Sequence, residues 1–227
     1  PDKFEGLWWV SGYSGGSSLL PAKCSPSTLS AVSPAPTFSK QNAAPAFQLE
    51  NYGNRFGITG SPAMDVLGNA LHACIAFDWI NPELVDRRTR ISEILALWGM
   101  AAHVDSDAVM PGVDAFRAWC HSRWQIRRAL VEYPFARTLA NGQRLSGRLD
   151  LLLDTDQGWV IVDHKSNPSP RDKLAALAAE YLPQLNAYAE TINVLGDQRP
   201  ISLAINFFVG QSMVVLPMSA FGEIKPR

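Results

Sequence analysis

The spacing of apolar residues divides the chain. From Ser61 to Ile80, Met64, Leu67, Leu71 and Ile75 recur at helical spacing, with Pro62 at a first-turn position and Pro82 beyond the end. This predicts an amphipathic helix. Glu83 to Trp98 repeats the pattern with Leu84, Ile91, Ile94, Leu95 and Trp98, and a loop containing His103 follows. Val113 to Trp124 predicts a third helix with Phe116, Trp119, Cys120 and Trp124 inward, aromatic spacing that reads as core rather than as a base-stacking site. The period then changes. Ala129 to Phe135, Arg144 to Leu153 and Trp159 to Val162 are β-prone apolar runs, separated by the turn signals Asn141-Gly142 and Asp154 to Gly158. They predict a three-stranded meander ending at Lys165. Leu174 to Leu195 is helical in pattern and broken at Pro183, which either kinks it or starts a new helix. Two apolar strands follow, Ile201 to Val209 and Met213 to Leu216, joined by a turn at Gly210-Gln211. Helices, three strands, helix and two strands predict an α/β fold, a mixed β-sheet flanked by helices.

Pro1 to about Gly60 is rich in Ser, Pro, Gly and Ala and reads as an irregular N-terminal segment or linker, leaving 61–227 as the folded domain. Within it, Ser25-Pro26-Ser27-Thr28-Leu29 predicts a short helix opened by serine and proline, and Trp8 and Trp9 read as surface-docking residues. The chain starts at Pro1 without a methionine, as a piece of something longer would.

Composition adds bounds. With 227 residues, 47% of them hydrophobic and 18% charged, the chain reads as globular and soluble. No run approaches the roughly 18 apolar residues of a membrane span, and no signal-peptide pattern opens the chain. Cys24, Cys74 and Cys120 are scattered, which fits buried thiols in a reducing, cytoplasmic compartment. A net charge of -1 supplies no global attraction to nucleic acid, so such binding must come from local clusters and a metal.

The chemistry concentrates between Gly147 and Lys165. Strand alternation puts Asp163 and Lys165 on one side and His164 on the other, with Asp150 on the facing arm among leucines. A carboxylate there is costly unless its charge is compensated, and a second carboxylate raises the cost. A divalent cation satisfies both, and hard ions such as Mg²⁺ take carboxylates, water and substrate phosphate as ligands. The hairpin therefore predicts metal-assisted phosphoryl chemistry; a surface salt bridge is the plainer alternative. The bare triplet is weak evidence, since Glu223-Ile224-Lys225 repeats it in the tail without a flanking strand. Glu132 either touches the site or lies on a polar face. His72, one turn after Gly68, is an ordinary structural histidine unless it faces the hairpin. Tyr181, Gln184 and Tyr188 share one helical stripe, which lines a groove over the hairpin or packs into the core.

Gly68 to His72, Gly147 to Asp150, Asp163-His164-Lys165 and Gln184 to Tyr188, in that order, resemble the PD-(D/E)XK nucleases, specifically the RecB/AddA-type nuclease domain at the C-terminal end of bacterial helicase-nucleases. That pattern runs Gly-x-x-x-His, Gly-x-x-Asp, Asp-x-Lys, Gln-x-x-x-Tyr, and the resemblance covers about Ser61 to Leu216. Ser25-Pro26-Ser27 also resembles a short element upstream of such domains. The chain departs at His164, a position often aromatic, and at Pro183 directly before the glutamine.

The resemblance implies a restriction-endonuclease-like fold. It implies that His72, Asp150, Asp163 and the backbone carbonyl of His164 bind the metal, that Lys165 is the catalytic lysine beside Asp150 and Asp163, and that Gln184 and Tyr188 contact DNA or support the site. Arg171 and Lys173, just past the hairpin, are phosphate contacts or merely solubilising charges. The implied activity is a Mg²⁺-dependent deoxyribonuclease, with Mn²⁺ compatible through His72. An exonuclease acting on single-stranded ends in DNA end processing and recombinational repair fits best. No Gly-x-x-x-x-Gly-Lys-Ser/Thr loop occurs, so the implied helicase motor lies upstream in a longer chain or in a partner subunit. Three scattered cysteines argue against the four-cysteine iron-sulfur cluster of some relatives. Two alternatives are an inactive nuclease fold serving as a DNA-binding or docking module, and a stand-alone restriction or repair endonuclease.

Overall fold

A computed structural model describes residues 23–26, 47–139, 141–195 and 201–216. Trp8, Trp9, Ser27 to Leu29 and the Glu223-Ile224-Lys225 triplet lie outside the described residues. Two short strands, β1 (Lys23–Cys24) and β2 (Gln48–Asn51), precede helices α1 (Met64–Ile80), α2 (Arg87–Leu97) and α3 (Ser106–Arg123). Strands β3 (Ile126–Thr138), β4 (Arg144–Thr155) and β5 (Gly158–Lys165) follow, then helices α4 (Leu174–Glu180) and α5 (Leu182–Leu195) and strands β6 (Ile201–Phe207) and β7 (Ser212–Leu216). None of the described helices is long and apolar enough to cross a membrane.

The seven described strands make one mixed sheet in the order β1-β4-β5-β6-β7-β2, with β3 paired to β4. The β5–β6 pair is parallel, and the intervening α4 and α5 carry the chain across one face of the sheet. Leu151, Leu153, Val160 and Val162 pack with α1 to α3 on one face, while Leu149, Leu152, Ile161 and Leu203 pack with α4 and α5 on the other. Burying each such side chain stabilises the fold by roughly 1.5–3 kcal/mol. The architecture is mixed α/β with helices on both faces, consistent with a restriction-endonuclease-like fold.

Several element boundaries differ from the expectation, each for a local reason. Helix α1 starts at Met64, where the Ala63 carbonyl accepts from Leu67 N–H, so Pro62 precedes the helix and Met64 stays exposed. Its buried stripe is Leu67, Ala70, Leu71, Cys74, Ile75 and Asp78. Helix α2 starts at Arg87 rather than Glu83, and Leu84 is exposed in the turn before it. Helix α3 starts seven residues before Val113, because Asp105 caps it by accepting from Asp107 N–H at 2.8 Å and the buried Val109, Met110, Phe116 and Cys120 carry it through Pro111. Pro183 does start a new helix, α5. Gln48 to Asn51, expected to be irregular, forms β2 antiparallel to β7, and Lys23–Cys24 pairs with the start of β4.

Asp78 is the one acid on the buried stripe of α1, 1% exposed, and it ties the three helices together. It accepts from Arg87 Nη1 of α2 at 2.5 Å and lies 3.1 Å from Arg117 Nη1 of α3. Removing one partner leaves a buried charge short of compensation, so Arg87→Ala should lower the unfolding free energy by about 3 kcal/mol in urea titrations. Arg88→Ala, which breaks the exposed pair with Asp107, should change it by less than about 1 kcal/mol.

Candidate active site at the end of strand β5

From Arg128 on, side chains on β3 and β4 alternate regularly until residues 132 and 150. The pair Leu130–Leu152 faces α4 and α5, and the pair Val131–Leu151 faces α1 to α3. The next pair, Tyr133–Leu149, faces α4 and α5 again. Glu132 and Asp150 are thus one extra residue in each strand, opposite one another. Glu132 takes a left-handed φ of 49°, a conformation an L-residue adopts at a cost of about 1 kcal/mol or more. The β4–β5 ladder ends at Leu151–Val162, while β5 continues beside β6 through Lys165. Asp150 therefore stands where the two strands part. Its Oδ2 accepts from the His164 N–H at 2.7 Å, a side chain bonding where a ladder carbonyl would otherwise stand.

Helix α1 closes on this gap. At Gly68 an added Cβ would come within 3.0 Å of Ser166 Oγ, so the glycine lets the helix approach the end of β5. One turn later, His72 Nε2 donates to the His164 carbonyl at 3.0 Å, which leaves Nδ1 with its lone pair 3.7 Å from Asp150 Oδ1. Burial lowers the His72 pKa despite the nearby Asp163, so the imidazole is neutral and does not compensate Asp150. Burial and the Asp163 charge hold the Asp150 carboxyl well above the usual range. Glu132 joins them: His72, Glu132 and Asp150 each offer a ligand atom within 4.8 Å of the others. Arg148 Nη1 approaches Glu132 Oε2 from the solvent side at 3.8 Å.

A second group lies on the other face of β5. Asp163 is 3% exposed, and its Oδ1 accepts from Gln184 Nε2 at 3.0 Å. Lys165 Nζ sits 2.7 Å from Asp163 Oδ2; the contact lacks hydrogen-bond alignment, yet at that range the ion pair still compensates the buried charge. Burial works to lower the Lys165 pKa, but Asp163 and Asp150 hold it above its ordinary value, so the ammonium persists. Gln184 also accepts from Lys165 Nζ at 3.4 Å and donates to the Tyr188 hydroxyl at 2.7 Å. The Tyr181 ring lies 4.4 Å from Lys165 Nζ, at cation–π range.

The structure thus gathers His72, Asp150, Asp163, His164, Lys165, Gln184 and Tyr188 at one end of β5. Glu132, not among the residues expected at the metal, stands at ligand spacing with His72 and Asp150, while Asp163 faces Gln184 and Lys165. Only a charge inside the apolar run ALVEYPF hinted at Glu132. Arg171 and Lys173 lie in an exposed 3-10 turn, and among the described residues neither side chain makes a hydrogen bond or ion pair. Two carboxylates and a neutral imidazole nitrogen, with one carboxyl group short of positive charge, fit a divalent cation.

The comparisons with known proteins bear on this donor set. None of the curated proteins matches the chain. A family model described as the PD-(D/E)XK nuclease superfamily matches residues 46–215, from just before β2 to the penultimate residue of β7 and across every residue of the two groups. With that match covering most of its length, the chain belongs to the PD-(D/E)XK nuclease superfamily.

Proposed function

We propose that the chain is a Mg²⁺-dependent deoxyribonuclease, able to use Mn²⁺, that acts as an exonuclease on single-stranded DNA ends. The observation that carries the reading is the Asp150 carboxyl, only partly compensated by Lys165, beside the His72 lone pair and Glu132. The narrower parts of the proposal rest on the RecB/AddA-type order of motifs from Gly68 to Tyr188. These are a helicase motor in the same longer chain or in a partner subunit, and a cytoplasmic role in DNA end processing and recombinational repair.

Phosphodiester hydrolysis needs an activated water, stabilisation of charge on the phosphoryl oxygens and relief at the leaving oxygen. His72, Glu132, Asp150, Asp163 and the His164 carbonyl would hold the divalent cation, which when bound polarises the phosphate and acidifies water. Lys165 supplies a fixed ammonium that orients the attacking water and neutralises developing charge. Gln184 grips Asp163 through its amide NH₂ and Lys165 through its carbonyl, so acid and lysine keep a set separation, and Tyr188 locks the glutamine. Arg171 and Lys173 offer exposed positive charge to the incoming backbone.

Cleavage of end-labelled single- and double-stranded DNA with Mg²⁺ or Mn²⁺ tests the reading. Asp150→Ala, Asp163→Ala and Lys165→Ala should each slow cleavage by about 100-fold or more, and Gln184→Ala by about 10-fold. If wild type and variants are equally inert yet bind DNA, the chain is a binding module instead. Circular DNA left whole supports the exonuclease; nicked circles would assign an endonuclease.

A pH series tests the ligand assignment separately. The folded pKa of Asp150 exceeds its unfolded value near 3.8, so between the two values the folded state binds the proton more tightly and metal-free stability falls as pH rises. A cation that binds the ionised form offsets this loss. The melting temperature in Mg²⁺ should therefore exceed that in EDTA by a margin that widens as pH rises above about 4. A margin independent of pH would remove Asp150 from the ligand set.

A further inference from the structure

The main chain of His164 organises the candidate cation site from both sides. Its N–H bonds Asp150 Oδ2 at 2.7 Å, and its carbonyl accepts from His72 Nε2 at 3.0 Å. What orients this residue is its side chain, which points away from Asp163 and is almost wholly buried. The ring stands edge-to-face against Phe116 of α3 and against His72, with centroids 5.4 and 5.5 Å away. A buried imidazole needs partners for its polar atoms.

Those partners come from two distant places. Asn206 of β6, paired in register with His164, lies with its amide NH₂ 3.3 Å from His164 Nδ1, and its amide oxygen accepts from the Tyr52 hydroxyl at 2.8 Å. Asn206 is fully buried within the otherwise apolar end of β6, where an unbonded amide is unfavourable. Both ends of its side chain are satisfied only by this chain of contacts. With the NH₂ group donating, His164 Nδ1 is the acceptor and the ring proton sits on Nε2. Tyr52 is itself anchored: its N–H donates to the Gln211 carbonyl at 3.0 Å. Gln211, at φ 46°, is slotted between Gly53 and Gly112, where an added Cβ would collide with its amide. Burial keeps the Tyr52 phenol protonated and therefore a donor.

We propose that Tyr52 and Asn206 are positioning residues of the cation site, acting in series on His164 so that its two main-chain groups hold Asp150 and His72 at ligand spacing. The proposal rests on the metal-dependent reading above. Without the relay, the ring loses its partner at Nδ1 and its fixed rotamer, and the peptide groups on either side of it lose their orientation. Outer partners of this kind typically change metal affinity 10- to 100-fold.

Mn²⁺ binding to the full chain, followed by electron paramagnetic resonance and calorimetry without DNA, tests this apart from cleavage. Tyr52→Phe removes one oxygen atom and keeps the ring; it should weaken Mn²⁺ binding about 10-fold in a protein that stays folded, its melting temperature lowered by only a few degrees for the lost partner of Asn206 Oδ1. Asn206→Leu should weaken it at least as much, and the double variant should be no worse than Asn206→Leu alone, as a serial relay requires. Arg88→Ala, on the surface of α2, should bind as wild type does. Folded variants that bind Mn²⁺ like wild type would overturn the proposal, with Tyr52→Phe deciding should Asn206→Leu not fold. A folded wild type that binds no Mn²⁺ overturns the metal reading itself and this inference with it.

Discussion

One hydrogen bond, from the His164 N–H to Asp150 Oδ2, marks the place where this sheet stops being a sheet and becomes a site. Two antiparallel strands in register leave no room for a side chain between them. Here β3 and β4 each carry an extra residue at the same level, so the face alternation slips in both, and β4 parts from β5 after Leu151–Val162. The gap is filled by a carboxylate that satisfies the main chain and still has an oxygen to spare. Leucine at 150 would leave the His164 N–H without its acceptor; an ordinary ladder would leave the carboxylate nowhere to act.

The gap is electrostatically unfavourable in the metal-free chain. Asp150 has one good donor, a neutral histidine and two other acids nearby, and Glu132 holds a strained φ. The rest of the structure offsets this. The leucine-rich faces of β4 and β5 are buried against helices on both sides, and the Asp78 ion-pair cluster joins α1, α2 and α3 without any part in the site. Asp163 differs from Asp150 because Lys165 and Gln184 occupy its oxygens, so Asp163 is balanced within the protein while Asp150 is only partly so.

Elements whose apolar period ran unbroken were legible from the residues: α1 and the β3–β4–β5 meander; at Pro183 a kink and a new helix were both open, and the structure makes it a new helix. Helix α3 was legible only in its second half, because a proline six residues in argues for a break that burial of Val109, Met110 and Phe116 overrides. Strands β1 and β2 were invisible since two- and four-residue strands carry no period; they exist because β4 and β7 present edges to pair with. Tyr52 was hidden for the same reason, and Asn206 showed only as a polar interruption in an apolar strand.

Local order alone determined that Asp163 and Lys165 would share one face of a strand, that His164 would take the other, and that Gln184 and Tyr188 would lie one helical turn apart. These follow from backbone geometry, which any chain obeys. It could not determine that His72 would arrive from more than ninety residues upstream of His164 to bond its carbonyl, or that Glu132 would stand at ligand spacing with His72 and Asp150. Nor could it show that Asp163 would pair with Gln184 and Lys165. Those outcomes depend on a strand slip, a close helix approach at Gly68 and a relay from the sheet edge, and each of them is decided by what packs against it.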